Sequence, residues 1–141
     1  MTSITSIEGD FTAKISLEPD FSTPDFIQVF EDIHGFHHFS ASENSNEPDD
    51  SRTIYFTMKP GVTNGKHIYP AGIHEMYFID YKDRTRIRAK IISGECTVNF
   101  DHQTKRFKMS FHTCLKNIID NREIDILGSF DLTQRSTNRT T

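Results

Sequence analysis

The chain has 141 residues, the size of one domain, long enough to bury a hydrophobic core without metal or disulfide staples. Twelve Phe and four Tyr within a 35% hydrophobic composition predict an aromatic core of the kind strands build. With no run near the roughly 18 apolar residues of a membrane span, no basic-then-apolar leader and a net charge of −4, a membrane protein is excluded and the chain reads as cytoplasmic.

In chain order, Asp10 to Glu18 alternates Phe11, Ala13, Ile15 and Leu17 against polar residues, the period of a half-buried strand. Ser22-Thr23-Pro24-Asp25 then reads as a helix start, with Thr23 as N-cap and Pro24 at the first helical position. Phe26, Ile27, Phe30 and Ile33 form one apolar stripe and Gly35 a stop, so a short helix is expected near residues 24–34. The competing reading is a strand through Phe26 to Phe30. Residues 40–52 hold Ala41 as their one apolar residue among Ser, Asn, Glu, Asp and Pro, and are expected to form a mobile acidic loop.

From Thr53 onward short period-two segments alternate with turn residues, predicting strands at 53–59, 66–69, 73–80, 85–92, 95–100, 106–115 and 123–132. Ser93-Gly94 reads as a turn, Gly128 as a bulge, and residues 133–141 as a frayed tail. The expected fold is a single all-β domain over residues 1–141. It is a mainly antiparallel β-sandwich of about eight strands with one short helix, the alternative being a closed β-barrel of calycin-like type.

Three sets of residues carry possible chemistry. Lys82, Arg84, Arg86, Arg88 and Lys90 take alternate positions on one strand face, about 6.6–6.8 Å apart, a spacing suited to successive phosphates. Arg84, Arg86, Arg88 and Lys90 are therefore candidate ligand-binding residues. The structural alternative is neutralisation by Glu95, Glu123, Asp125 and Asp131 on neighbouring strands, and no aromatic platform is evident on that face. His34, His37 and His38 are candidate metal ligands, although an extended chain would point His37 and His38 to opposite sides. Cys96 and Cys114 fall on opposite faces in the expected hairpin register, Cys96 opposite Met109, so no disulfide is expected; His112 beside Cys114 gives a weak nucleophile pair.

The strand at 73–80 differs from the others in having apolar residues on both faces, which suits a central strand or one wall of a ligand pocket. No nucleophile with its base, paired carboxylates or metal signature stands out, and no cofactor is expected. The sequence thus reads as a non-enzymatic binding or protein-interaction module. Its partner is an unnamed protein or small molecule, with self-association through a strand edge as one route. The alternatives are a carrier of a small apolar ligand in a barrel cavity and a polyanion-binding protein using the Lys82–Lys90 face, nucleic acid included.

Overall fold

The computed structural model describes the backbone of residues 2–81 and 87–139 and the side chains of residues 6–81 and 87–136. Nine strands follow one another: β1 (Thr2–Ile15), β2 (Phe26–Glu31), β3 (His37–Glu43), β4 (Arg52–Met58), β5 (Gly65–Ile68), β6 (Ile73–Asp80), β7 (Ile87–Asp101), β8 (Arg106–Asn117) and β9 (Glu123–Arg139). They form one antiparallel sheet in the order β1-β9-β8-β7-β6-β4-β3-β2, with β5 paired to the second half of β7.

The two ends of that order meet. Phe21, between β1 and β2, exchanges backbone hydrogen bonds of 2.7 and 2.8 Å with Ala13 of β1, and Gln134 Nε2 of β9 donates to the Val29 carbonyl of β2 at 3.4 Å. The sheet therefore rolls into a nearly closed barrel, although β1 and β2 form no ladder with each other. The all-β antiparallel expectation holds; of its two forms, the single rolled sheet replaces the two-sheet sandwich.

Alternation along each strand sends the large apolar side chains inward. Phe39 of β3 sits among the rings of Phe130 (4.9 Å between centroids), Phe100 (5.2 Å) and Phe107 (5.5 Å), while Phe130 stacks on Phe11 at 5.3 Å and Phe56 meets Phe111 edge-on at 4.7 Å. Separations of 4.5–7 Å in tilted, edge and offset arrangements are those aromatic pairs favour, so the barrel interior is filled by phenyl rings.

The segment between β1 and β2 folds across one end of the barrel and buries Phe21 completely. Arg52 lies beneath it. The guanidinium donates to the Glu43 carboxylate (2.6 and 3.0 Å) and to the carbonyls of Pro19 (2.7 Å) and Asp20 (2.8 Å), and sits 5.7 Å from the centre of the Phe21 ring. At the other end buried His37 lies among Phe39, Phe100, Phe107 and His102.

Several local expectations are corrected. Residues 24–34 are not helical: 26–31 form β2, with Val29 inward and Phe26 and Phe30 outward. Thr23 and Ser22 do not cap a helix, since their N–H groups donate to the Glu43 carboxylate, both at 3.2 Å. Gly35, at φ 85°, closes the β2–β3 turn, whose Asp32 Oδ1 accepts from the N–H groups of His34 and Phe36. The helix stripe and a strand ending in a tight turn share the same few apolar residues, and pairing with β3 decides between them.

Residues 40–43 of the expected loop belong to β3, fastened to β4 by the Ser42–Thr53 hydroxyl pair (2.8 Å) and the Glu43–Arg52 ion pair, and Pro48–Asp50 form a 3₁₀ turn. Ser93-Gly94 is not a turn but part of the continuous strand β7, paired with Cys114 and Thr113 just after a register shift between Ile91 and Ser93. Gly128 lies in regular register; a Cβ there would come within 2.6 Å of the Thr12 carbonyl and 2.7 Å of the Phe111 ring, so the glycine answers a close approach and not a bulge. Residues 133–139 are not a frayed tail, because β9 stays paired with β1 as far as Arg139 opposite Thr2.

Candidate functional site

The register of four neighbouring strands assembles a row on the outside of the barrel. Met76 and Phe78 of β6 point inward, so Tyr77 and Ile79 point outward; Ala89 and Ile87 of β7 point inward, so Arg88 and Lys90 point outward. Pairing sets Tyr55 of β4 opposite Tyr77, Tyr77 opposite Lys90, and Lys90 opposite Lys116 of β8, while Ile79 faces Arg88. Two aromatic rings and three cations thus cross the outer face side by side, with the Tyr55 and Tyr77 centroids 6.3 Å apart.

A cleft of about 440 Å³ lies along this row, lined by Tyr77, Ile79, Tyr81, Arg88, Lys90 and Ile118. Its far wall comes from the β8–β9 connection. Buried Asn117 accepts the Arg88 N–H on its side-chain oxygen (3.1 Å), and Ile118 N–H donates to the Arg88 carbonyl (2.9 Å). The connection is thereby fixed against β7 with Ile118 two-thirds exposed beside the cations. Arg88 Nη2 reaches the Tyr81 hydroxyl at 3.4 Å.

Tyr55 is held from behind. Its hydroxyl hydrogen-bonds His38 Nδ1, and His38 Nε2 meets Asp32 Oδ2 at 2.9 Å under the stacked ring of Phe30, 4.4 Å away and tilted by 4°. The His38 hydrogen bond, backed by the His34 and Phe36 N–H groups, holds the Asp32 carboxyl below the usual carboxylate range. An ionised Asp32 favours the His38 tautomer that carries its proton on Nε2, leaving Nδ1 to accept from Tyr55. Burial, then the charge and hydrogen bond of Glu75, push the Tyr77 phenol up, so it keeps its proton at neutral pH.

Arg84 and Arg86 of the predicted cationic row lie outside the described residues; Arg88 and Lys90 lie within them and are exposed. Two of the acids that could have neutralised the row go elsewhere: Glu95 pairs with Lys66 (3.1 Å) and Asp131 with Arg106 (2.8 Å). Asp125 stands opposite Cys114, while Glu123 stands directly opposite Lys116 across the β8–β9 pair without closing an ion pair. Among the described residues, no carboxylate comes within 4.0 Å of Arg88, Lys90 or Lys116. The larger recess of about 930 Å³ around the outer ends of β1, β8 and β9 has mixed charge and is crossed by the Arg106–Asp131 and Arg135–Glu8 ion pairs.

The three candidate metal ligands are not brought together: His34 is exposed in the β2–β3 turn, His37 points into the barrel end and His38 points outward to Tyr55. Among the described residues no three His, Cys, Asp or Glu side chains gather as a metal site would require. Burial pushes His37 below its ordinary value, with His102 and Lys105 adding to it and Glu31 opposing. Cys96 and Cys114 are both free. Cys96 stands opposite Phe111 rather than Met109, a two-residue difference that preserves its inward face, and burial lifts its thiol to about 11. The Cys114 thiol is raised by burial and by Glu123 and Asp125, the reverse of an activated nucleophile.

Tyr55, Tyr77, Lys116 and Ile118 were not picked out as site residues because they lie outside the 82–90 segment that carries the cationic row, and Tyr81 reads as part of the turn before it. The one available signal was the two-faced apolar pattern of residues 73–80, whose outer face is half of this site. No family model, curated protein or solved structure matches the chain. Fold and surface define a filled β-barrel that presents an aromatic and cationic face on its outside, and the chemistry of that face carries the functional reading.

Proposed function

We propose that the protein is a non-enzymatic binding module whose outer face over β4, β6 and β7 takes an anionic ligand with a flat apolar body. The observation that carries this reading is the placement of Tyr77 directly opposite Lys90, flanked by Tyr55 and Lys116, with Arg88 and Lys90 lacking carboxylate partners among the described residues and Lys116, opposite Glu123, forming no ion pair. Cations beside half-buried tyrosine rings and an exposed isoleucine favour a ligand that supplies both negative charge and apolar surface. A carrier reading draws less support, because the interior space a small apolar guest would need is taken by Phe39, Phe56, Phe111 and Phe130.

The test is a titration of ¹⁵N-labelled protein with short anionic probes, an oligonucleotide and a sulfated oligosaccharide, followed by amide chemical shifts. Shifts centred on Tyr77, Ile79, Arg88, Lys90 and Ile118 are expected. Shifts centred on the Arg106–Asp131 recess or on the inward-facing residues would place the ligand elsewhere and refute the assignment.

A further inference from the structure

We propose that the ligand of this outer face is single-stranded nucleic acid, held by stacking on Tyr55 and Tyr77 and by phosphate contacts to Arg88, Lys90 and Lys116. This rests on the binding-face reading above and deepens it. The argument is one of spacing and composition. Arg88 and Lys90 are two residues apart on one strand, about 6.6–6.8 Å, roughly twice the ~3.4 Å advance per residue of a stacked duplex strand, so they match a single strand whose bases have come apart. Bases that have come apart need new stacking partners, and two rings 6.3 Å apart, Tyr77 and Tyr55, lie one and two strands away from Lys90.

The cleft lies on the outside of a barrel and opens onto its surface, which leaves a polymer free to run past it. A sulfated polysaccharide would use the cations and leave the rings idle. Duplex nucleic acid would hide its base faces. An unpaired strand uses both kinds of side chain, and the chain's overall charge of −4 confines attraction for a polyanion to this local patch.

The ring of Tyr55 is further suited to stacking because it is fixed before any ligand arrives: the Asp32–His38–Tyr55 hydrogen-bond chain and the Phe30 ring over His38 hold it in place. A platform already ordered loses less side-chain entropy on binding. His38 and Asp32 are positioning residues in this scheme, since they act on the ligand only through Tyr55.

The experiment is fluorescence anisotropy with a labelled eight-nucleotide oligo-dT against the full chain at 20–200 mM salt, with a heparin octasaccharide as competitor. Wild-type protein is expected to bind oligo-dT with a log–log salt slope of about −2, the value for three phosphate contacts to a single strand. Tyr77→Ala should weaken binding roughly ten-fold with the slope unchanged, and Tyr77→Phe should bind as the wild type does. Lys90→Gln, at an exposed position with no bearing on folding, should weaken binding and lower the slope by about 0.7. His38→Ala should weaken binding less than Tyr55→Ala, and Tyr55→Phe should restore most of the affinity.

If the octasaccharide binds more tightly than oligo-dT, and Lys90→Gln weakens it while Tyr77→Ala does not, the nucleic-acid proposal fails and the anion-binding face survives. If neither probe binds at the lowest salt, or if binding ignores Lys90→Gln and Tyr77→Ala alike, both readings fail.

Discussion

Replacing Arg52 by Met puts the closure of one barrel end to the test. Arg52 is 4% exposed and donates four hydrogen bonds, two to Glu43 Oε1 and one each to the carbonyls of Pro19 and Asp20. Methionine keeps most of the volume and fills the space beside Phe21, but leaves two carbonyls and a largely buried carboxylate without their donor. Removing one partner of a buried pair costs about 3–5 kcal/mol, the penalty residing in the group left behind. For a chain of this length that is a fall in Tm of roughly 10 °C or more.

Glu43 reports the same event through pH. Burial pushes its carboxyl up, but the Arg52 hydrogen bond and charge, with the Thr23 and Ser22 N–H groups, outweigh burial and hold it below the usual carboxylate range. A depressed folded-state value means stability that is present above the unfolded value and lost as pH falls through the folded one. In Arg52→Met burial acts with only the N–H groups opposing it, so the carboxyl is less depressed, the variant's deficit against wild type is largest near neutral pH, and it narrows as protonation of Glu43 relieves the orphaned charge. With no Trp in the chain, urea unfolding is followed by far-UV circular dichroism or tyrosine emission between pH 4 and 8. A variant within 1 kcal/mol of wild type, or one with an unchanged acid limb, would show that Arg52 does not hold this end. Arg52→Met with Glu43→Gln should recover part of the loss, since it removes the orphaned charge.

Three further outcomes are expected. Phe39→Ala removes the ring at the centre of the Phe100, Phe107 and Phe130 cluster and should cost about 3–5 kcal/mol in urea unfolding; a loss below 1 kcal/mol would mean the interior is not packed as described. Gly128→Val drives a side chain into the Thr12 carbonyl and Phe111 ring and should cost about 3 kcal/mol, with hydrogen exchange rising first in β1 and β9; uniform exchange along the barrel would contradict a local clash. Cys114, raised by burial, Glu123 and Asp125, should alkylate at pH 7 more slowly than an unhindered thiol and speed up as pH rises, whereas reaction faster than a free thiol would revive the His112 pairing.

The sequence was legible where the period-two pattern was long and one-sided. Phe107, Met109 and Phe111 of β8, and Ile124, Ile126, Phe130 and Leu132 of β9, face inward as their alternation predicts, and Ile87, Ala89 and Ile91 of β7 do the same. Legibility failed where tertiary pairing overrides a local signal. Thr23-Pro24-Asp25 has every attribute of a helix start, but the carboxylate that its N–H groups meet belongs to Glu43, about twenty residues away. Nothing local shows that residues 26–31 pair with 37–43. Half of the candidate site was visible as the alternation of Arg88 and Lys90. The other half required knowing that β6, and β4 beyond it, lie next to β7, which no local pattern states.

That missing adjacency changes what the cations mean. A basic row flanked by acids is a solvated surface and nothing more, and Glu95, Glu123, Asp125 and Asp131 made that the natural expectation. The register instead places Tyr77 and Ile79 on one side of Lys90 and Arg88 and puts Lys116 on the other side of Lys90, while Glu95 and Asp131 are committed to Lys66 and Arg106 and only Glu123, opposite Lys116, borders the row. Arg88 and Lys90 make no ion pair among the described residues and gain nothing from burial. A barrel stabilised by its own phenyl rings has its inner surface occupied, so the proposed binding face lies on the outer one. On that surface the Tyr55–Tyr77–Lys90–Lys116 row is where ring faces and unpaired charge coincide.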